Sequence, residues 1–385
     1  MYFSILSAFS QTNDTTTTAY KSRKLSVDEI NIVSSYYQQD GNNSAVTGGI
    51  GTEHLTDIAN TIDLQVSKYG KSPFIRHHFG FELGIDTYTS TSSDKIDPST
   101  ISSASMSDVR IYPSLSWNIV NEKKGSNFGI SASLSNEYDY SSIGAAISFA
   151  KMSKDKNREF TFRMQAFLDT WDVIYPVELR DGSNNNTRSP RNSFNGSVSV
   201  SQVINKTFQA LILIEPAYQH GLLATKYQRV YFNDISEQSE TLPENRYKLP
   251  IGLRLNYFAG DKVILRSFYR YYTDSWGING NTLELETSIK LNPFLSVSPF
   301  YRFYQQSQAD YFAPYAQHSV SESYFTSDFD LSRFNSNFFG AGVRLAPPEG
   351  VFGLSHLKGM EIRYGYYSRS TGLNSNIISL NLKVK

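Results

Sequence analysis

Residues 77–86 read HHFGFELGID, and an apolar side chain comes at every second position. Phe79, Phe81, Leu83 and Ile85 alternate there with polar, ionisable or very small residues. Successive side chains of a β-strand point to opposite faces of the sheet. The stretch therefore predicts a strand with one face that avoids water and one face that meets it.

The same alternation recurs to the end of the chain. Residues 109–117, 160–168, 249–257 and 378–384 each put apolar side chains on one face and mainly polar or small ones on the other. Counting all such segments gives about sixteen strands, the last of them at the C-terminus. No helical periodicity of comparable strength competes with them.

The connections between these segments differ in length on the two rims of the predicted sheet. Six joints after even-numbered strands are brief: YGKSP, NEKKGS, KMSKDKN, NKT, AGDK and LNP. The joints after odd-numbered strands are mostly long, as in residues 90–105, 171–191, 219–246 and 305–331. Short turns on one rim and long loops on the other are typical of outer-membrane barrels. Residues 346–358 depart from this layout, because they form a longer joint on the short side.

A membrane explains why one face of the sheet is apolar. The chain has no helical segments to cover that face, whereas a bilayer covers it directly. Lipid cannot satisfy free backbone N–H and C=O groups, so a sheet that spans it must close on itself. The predicted fold class is all-β: a transmembrane antiparallel β-barrel of about sixteen strands, with short periplasmic turns and long extracellular loops.

Proline residues lie inside two of the predicted strands. Pro113 and Pro299 lack the N–H that a closed ladder needs. We expect each of them at a bulge or at the rim of the ladder.

Composition excludes several classes of protein. Thirty-six basic and thirty-six acidic residues cancel to a formal net charge of zero, which leaves no electrostatic footprint for nucleic acid. Cysteine is absent, so the chain has no disulfide, thiolate ligand or thiol nucleophile. No window approaches the ~18 unbroken apolar residues of a membrane-spanning helix.

The N-terminus resembles the end of an export signal. Residues 1–11 finish an apolar segment with a small-x-small pattern at Ala8-Phe9-Ser10, and we interpret them as the remnant of a signal peptide. The alternative is an unstructured cytosolic terminus. Residues 12–27 are then a polar periplasmic leader, and residues 28–385 a single transmembrane β-barrel. The predicted location is the outer membrane of a Gram-negative bacterium.

Along nearly its whole length the chain resembles bacterial outer-membrane β-barrels. The runs YYQQDGNNSAVTGGIGTEHLTD, YTSTSSDKIDPSTISSASMSDVRIYPSLSW and FLDTWDVIYPVELR also resemble a narrower barrel family of unknown function. Members of that family tend to be encoded near a flavin transferase and a small lipoprotein, which implies a link to extracytoplasmic redox chemistry. The resemblance brings no catalytic residues with it.

Charged residues that alternate with the apolar ones are the best candidates for a functional site. They are predicted to point into the barrel, where rings of charge tune the passage of solutes through a pore. Alternatively, they form arginine–carboxylate pairs that cross-link the inner wall. Because both signs occur, we expect no strong ion preference. The set is Arg76, His78, Glu82, Asp86, Arg110, Arg163, Asp169, Arg254, Arg266, Arg270, Glu284, Glu286, Arg302, Arg344, Glu361 and Arg363.

Metal binding and catalysis have little support in the sequence. Asp40, Asn42 and Ser44 space oxygen ligands at alternate positions, as calcium loops do, but the bidentate Glu downstream is missing and a glycine-rich hairpin fits better. The six histidines include no HExxH motif, and no motif marks a nucleophile. We therefore predict no enzyme and no cofactor, with a membrane-embedded hydrolase as a minor alternative.

The predicted function is a porin-like channel for small hydrophilic solutes. The alternative is a non-conducting scaffold barrel. Its long, tyrosine-rich loops fold inward, or it docks a periplasmic or surface lipoprotein, as the resembled family's link to an extracytoplasmic flavin or redox system implies. The expected partners are outer-membrane lipids and lipopolysaccharide, together with such a lipoprotein.

Overall fold

The computed structural model describes residues 24–89, 94–95, 107–180 and 187–385. Its strands are β1 (Ser26–Asn42), β2 (Thr52–Tyr69), β3 (Ile75–Thr89), β4 (Ser107–Asn121), β5 (Ser126–Asn136), β6 (Tyr140–Met152), β7 (Arg158–Val173), β8 (Thr187–Asn205), β9 (Phe208–Ile214), β10 (Ala217–Gly221), β11 (Arg229–Tyr231), β12 (Glu237–Ser239), β13 (Asn245–Ala259), β14 (Val263–Asp274), β15 (Asn279–Lys290), β16 (Leu295–Gln306), β17 (Phe334–Leu345), β18 (Leu357–Arg369) and β19 (Asn374–Val384). Short 3-10 turns occur at Ala45–Thr47, Val177–Leu179, Phe329–Leu331 and Val351–Gly353. No helix in these residues is long and apolar enough to cross a membrane.

All strands except β11 and β12 form one closed antiparallel barrel, and these two pair with each other as a separate small sheet. Successive spans of the barrel pair in chain order, and β1 pairs with both β2 and β19, which closes the ring. β9 and β10 are two parts of a single span, because β8 and β13 each pair with both of them. The interruption falls at Glu215 and Pro216, where proline has no N–H to give the ladder. The barrel therefore has sixteen spans, as predicted.

Apolar side chains cover the outside of the barrel. Phe81 and Ile85 of the opening stretch are about 40% exposed, and so is Leu253 on the far side of the ring. In water this much exposed apolar surface is costly, whereas in a bilayer it meets acyl chains. The alternate residues of each strand face the interior.

The two rims differ as predicted, with exceptions. We call them the short-turn rim and the long-loop rim. On the long-loop rim, three connections are short, namely residues 137–139, 275–278 and 370–373. Residues 346–356 form the longer joint expected on the short-turn rim, and this joint contains the 3-10 turn Val351–Gly353.

The two prolines that lie within predicted strands occupy interruptions of the ladder. Around Pro113, β4 and β5 pair at Ile111 and again at Ser114, with no rung between them. Around Pro299, β15 and β16 pair at Glu286 and again at Ile289. The register is the same on both sides of each gap. The missing N–H therefore interrupts the strand pairing locally and does not shift the alignment of the two strands.

Loops of the long-loop rim pack together into a structure that we call the cap, formed by residues 43–51, 222–244 and 307–333. One buried cluster joins Ala224, Leu242, Ala309 and Phe312 to Trp276 and Ile278 of the β14–β15 turn. A second joins Val230, Phe232 and Phe325, and the two phenyl rings meet edge to face with 4.9 Å between centroids. The cap thus has a hydrophobic core separate from the lipid-facing surface.

The N-terminal predictions fall largely outside the structure. The predicted signal remnant, residues 1–11, lies outside the described residues, as do residues 12–23 of the predicted leader. Ser26 and Val27, at the end of that leader, already belong to β1.

Candidate functional site

The inner wall of the barrel holds the predicted charges. Glu284 and Glu286 illustrate the rule, since their neighbours Leu283 and Leu285 are exposed on the outside. The sixteen predicted residues occupy such alternate positions. They fall into two groups: those with partners of opposite charge, and those without.

Four of the predicted residues form a connected network on one side of the barrel. Glu286 of β15 accepts from Arg266 of β14 at 2.6 Å and from Arg363 of β18 at 2.7 Å. Arg363 also donates to Glu361 at 3.1 Å. β15 and β18 are not adjacent, so Arg363 reaches across β16 and β17, and its guanidinium lies 5.1 Å from the ring centre of Phe300. In this part of the inner wall, arginine–carboxylate pairs link strands to one another, as the alternative prediction stated.

Three arginines beside that network have no carboxylate in salt-bridge distance among the described residues. We call Arg254 of β13, Arg270 of β14 and Arg302 of β16 the basic wall. The guanidinium of Arg254 lies 5.1 Å from the Phe268 ring centre, and that of Arg302 lies 4.8 Å from that of Phe338. Aromatic faces hold these cations in place without neutralising them.

Four carboxylates on the first strands have no cationic partner in the described part of the chain. We call Asp57 and Asp63 of β2 with Glu82 and Asp86 of β3 the acidic wall. Asp63 and Glu82 are directly paired in register, so two carboxylates of like charge stand side by side. Neutral donors serve this wall: Asp86 accepts from the Tyr112 hydroxyl at 2.9 Å, and Asp63 accepts from a Gln65 amide at 2.8 Å.

Arg254 and Arg270 of the basic wall face the acidic wall across the lumen, and Arg302 of β16 stands five to six spans from β2 and β3. β2 and β3 stand eight spans away from β13 and β14 in the ring of sixteen, which is half of the circumference. Counted from the short-turn ends of their strands, Asp63 and Glu82 lie six and seven residues up, and Arg254, Arg270 and Arg302 lie five to seven residues up. Unpaired charges of opposite sign therefore stand at similar height on opposite sides.

The other predicted residues have individual surroundings. Arg76 donates to Asp28 at 2.8 Å, and His78 lies 3.5 Å from the same carboxylate. Arg110 lies 3.4 Å from Glu137. The buried Asp169 accepts from the Tyr140 hydroxyl, and Arg163 lies in register between Ser148 and Ser197. Arg344 and Glu284 form no ion pair within the described ranges.

The sequence analysis did not predict several charged residues of the inner wall and the cap. Asp57 and Asp63 alternate with the exposed Ile58 and Ile62, so the period-two pattern of β2 could have identified them. Asp28 lies in an irregular part of β1, where the register with β2 shifts between Val27 and Glu29. No simple periodicity marks such a position.

The cap contains two buried charged groups. Arg229 of β11 is 6% exposed and donates to Glu178 at 2.5 Å and to the carbonyl oxygen of Val46 at 2.8 Å, which joins three loops. Glu240 is 2% exposed and accepts from the amide of Thr225 and the hydroxyl of Thr326. Burial, reinforced by the negative charge of Asp328, raises the pKa of Glu240 to about 8.

Close packing in the cap also depends on a glycine. Gly48 follows the 3-10 turn Ala45–Thr47 with φ of 76°, and a Cβ at this position would stand 2.6 Å from the Tyr231 ring. Only glycine combines this left-handed conformation with such a close approach. The glycine-rich stretch of the sequence therefore serves the contact between residues 43–51 and β11.

A metal site receives no support from the described residues, which contain no group of three or more potential His, Cys, Asp or Glu ligands. Asp40 lies 2.7 Å from His54, and Ser44 is fully buried before the turn Ala45–Thr47.

The buried His318 of the cap lies 2.6 Å from Glu322 through Nδ1 and 2.9 Å from the Thr326 carbonyl through Nε2. Both of its ring nitrogens have hydrogen-bond partners within residues 307–333, so this histidine stabilises the fold of that loop.

Comparisons with known proteins match the chain to one family and to several solved structures. The model of a family described as "Protein of unknown function (DUF3570)" matches residues 86–376. No curated protein sequence matches the chain. Solved structures with a similar fold include OpdQ of Pseudomonas aeruginosa (8% identity, 94% of this chain and 98% of that chain, TM-score 0.45), a loop L8 deletion mutant of OmpT, an outer membrane protein of Vibrio cholerae (8%, 93% and 99%, 0.47), and a BenF-like porin from Pseudomonas fluorescens (8%, 92% and 98%, 0.40).

Proposed function

We propose that this chain, which belongs to the DUF3570 family of proteins of unknown function, forms a water-filled channel for small hydrophilic solutes across the outer membrane of a Gram-negative bacterium. Barrels of sixteen to eighteen strands are wide enough to leave an aqueous interior.

The observation that carries this proposal is the pair of unpaired walls. Asp63 and Glu82 stand side by side with no cation in salt-bridge distance among the described residues. Arg254, Arg270 and Arg302 likewise have no carboxylate in salt-bridge distance there. An ion without a partner is stable only where water solvates it, because a dry interior shifts its pKa or requires a counter-ion. Charges without partners at the middle of the wall therefore support a lumen that contains water.

The arrangement of the walls also suggests which solutes suit the channel. Carboxylates on one side and guanidiniums on the other produce a field across the lumen, which orients a dipolar or zwitterionic solute as it passes. Such a field does not select strongly for cations or anions, because both signs line the same level.

In the proposed channel, the cap narrows the entrance on the long-loop rim. The turn Phe329–Leu331 lies against the inner wall, where Asp330 accepts from Arg369 at 2.6 Å and Gln306 donates to the carbonyl of Ser332 at 2.7 Å. Contacts to β16 and β18 from a loop of the long-loop rim place protein inside the mouth. Small solutes are therefore preferred over large ones.

Swelling of liposomes tests the proposal. We expect vesicles that contain the full chain to swell in small sugars and in zwitterionic amino acids, with rates that fall steeply as solute size increases. Vesicles that contain the heat-denatured chain are the matched control. Equal swelling of both preparations in every solute would contradict the channel.

A second candidate function is a non-conducting scaffold, and the cap is the observation that favours it. Loops that bury Phe232, Phe325 and His318 are ordered well beyond what a simple turn needs. On this account the cap closes the mouth and presents a surface to a lipoprotein. Recovery of one lipoprotein with the chain from native membranes, without solute permeation, supports the scaffold.

A further inference from the structure

On the outer surface of the barrel, tyrosines of the long-loop half are paired with asparagines. In each pair the tyrosine hydroxyl lies 2.6 to 2.9 Å from the asparagine Oδ1, and all six hydrogen bonds are exposed. We call these pairs the Tyr–Asn band: Tyr218–Asn245, Tyr269–Asn281, Tyr271–Asn279, Tyr301–Asn337, Tyr364–Asn376 and Tyr366–Asn374.

The band covers one half of the barrel only. Its members lie on β10 and on β13 to β19, whereas the outside of β2 to β7 at similar distances from the short-turn rim is mainly aliphatic, with Asn60 and Asn136 as polar exceptions. The aliphatic residues there are Ile58, Ile62, Ile85, Ile111, Leu134, Ile143 and Leu168. Two halves at the same height thus present different chemistry to the membrane.

The asparagines of the band retain hydrogen-bond donors. The Oδ1 atoms of Asn281, Asn337, Asn374 and Asn376 accept from tyrosine, and their Nδ2 groups have no acceptor within the described residues. Hydrocarbon cannot accept these hydrogen bonds, so such groups are unfavourable against acyl chains alone. The surface that covers the band must therefore supply acceptor oxygens.

We infer that the Tyr–Asn band binds acylated glycolipid of the outer leaflet, of the lipopolysaccharide type. The sugar hydroxyls and the amide and ester carbonyls of such a lipid lie next to its acyl chains, which matches asparagine amides set among tyrosine rings. The position of the band on the long-loop half corresponds to the outer leaflet.

The width of the band favours lipid over a second copy of the chain. The band extends from β10 through β19, which is half of the circumference, and a convex wall of that extent cannot be covered by one rigid neighbour. Several lipid molecules can follow the curve. The pairs themselves carry no charge, which favours sugar and carbonyl acceptors over a phosphate group.

Native mass spectrometry of the full chain in detergent tests this inference, with rough lipopolysaccharide and phosphatidylethanolamine as the added lipids. We expect the wild type to retain lipopolysaccharide in preference. The variant Asn281→Ala/Asn337→Ala/Asn374→Ala/Asn376→Ala removes the free donors and is expected to weaken retention by about fivefold or more. Ile62→Ala/Ile85→Ala/Ile111→Ala/Leu134→Ala on the aliphatic half is the matched control and is expected to bind as the wild type does.

A second variant separates lipid binding from wall stability. Tyr269→Phe/Tyr301→Phe/Tyr364→Phe/Tyr366→Phe breaks the same pairs but keeps the amide donors, so most of the lipopolysaccharide binding is expected to remain. Heat-modifiable migration on gels verifies that each variant is folded; if the fourfold asparagine variant is not, Asn281→Ala/Asn376→Ala is used, with about a twofold loss expected. Unchanged retention in a folded asparagine variant, equal retention of phosphatidylethanolamine by the wild type, or loss of a dimer in place of lipid would overturn the inference.

Discussion

The two halves of this barrel are built from the same alternating strands and differ on both faces. Inside, β2 and β3 carry unpaired carboxylates, whereas β13, β14 and β16 carry unpaired arginines. Outside, the first half is mainly aliphatic near the long-loop rim and the second half carries the Tyr–Asn band. The same alternating backbone therefore carries different side-chain chemistry in the two halves, although the inner and outer faces are the same throughout.

This difference teaches that period-two alternation determines where a side chain points and leaves its chemistry free. An ion on the inner face needs water, a partner or an aromatic surface, and the two halves use these in different proportions. The halves meet at the long-loop rim, where cap residues from the second half contact Val46 and Glu178 from the first.

The largest effect is expected from breaking the junction between the halves. Arg229→Ala removes the buried cation that joins β11 to Glu178 and Val46, and leaves Glu237 without its partner. We expect the cap to lose about 2 kcal/mol of closing free energy, and therefore roughly thirtyfold faster proteolysis of residues 222–244 in the folded barrel. Arg333→Ala, an exposed arginine of the same cap, is the control and should be cleaved at the wild-type rate.

Reversing the basic wall makes the two inner halves alike. In Arg254→Glu/Arg270→Glu/Arg302→Glu both sides of the lumen are acidic, so the potassium-to-chloride permeability ratio should rise by about tenfold. The reversal potential in a potassium chloride gradient measures it. Replacement of the same three residues by Lys retains the charge and should leave the ratio near its original value. A ratio that does not differ between these two variants would show that the wall does not line the conducting path.

The cap is expected to respond to pH through Glu240. Burial raises the pKa of this carboxyl to about 8 in the closed cap, against about 4.5 when it is exposed, so the closed cap holds a proton that the open cap releases. Cap stability is then full below about pH 4.5 and is lost as the pH rises through about 8. Hydrogen exchange of residues 307–333, corrected for the intrinsic rate, should accelerate several-fold from pH 5 to 9.

Glu240→Gln provides the control for this pH dependence. The amide fits the same volume and does not titrate, so the acceleration of exchange in the cap between about pH 6 and 9 should be lost; Asp328, whose pKa burial raises to about 6, titrates below this range. A wild-type cap with no pH dependence would contradict the assigned environment of Glu240.

The smallest effect compares neutralised carboxylates in the two halves. Asp63→Asn relieves repulsion with its register neighbour Glu82 and should stabilise the barrel by less than about 1 kcal/mol. Glu286→Gln leaves Arg266 and Arg363 without their shared counter-charge and should destabilise the barrel by about 1 to 2 kcal/mol. Urea unfolding in lipid vesicles measures both. Shifts of the same sign would refute the distinction between the walls.

Much of the fold could be predicted from the sequence because lipid imposes a simple rule on it. Phe79, Phe81, Leu83 and Ile85 repeat with period two, and every strand that spans a bilayer obeys the same constraint. The inner wall was partly predictable for the same reason, since Glu284, Glu286 and Arg266 alternate with leucines. Asp63 was equally accessible to this reasoning through its neighbours Ile62 and Leu64.

The cap could not be predicted, because its residues follow no period. His318 packs against Phe232 and Glu240 accepts from Thr326, and both contacts join loops that are far apart in sequence. A local pattern does not identify such partners. The sequence also does not indicate which charges of the inner wall form ion pairs. Glu286 and Arg363 meet across two intervening strands, and that meeting depends on barrel curvature and side-chain length rather than on alternation.

Single-channel recording in planar bilayers tests the central claim most directly. The purified full chain should produce discrete open steps in potassium chloride, with only weak preference between the two ions, because a hydrated lumen is lined by both signs at the same level. Persistent electrical silence over the whole voltage range, from bilayers in which antibody or protease accessibility proves that the barrel has inserted, would contradict a water-filled channel.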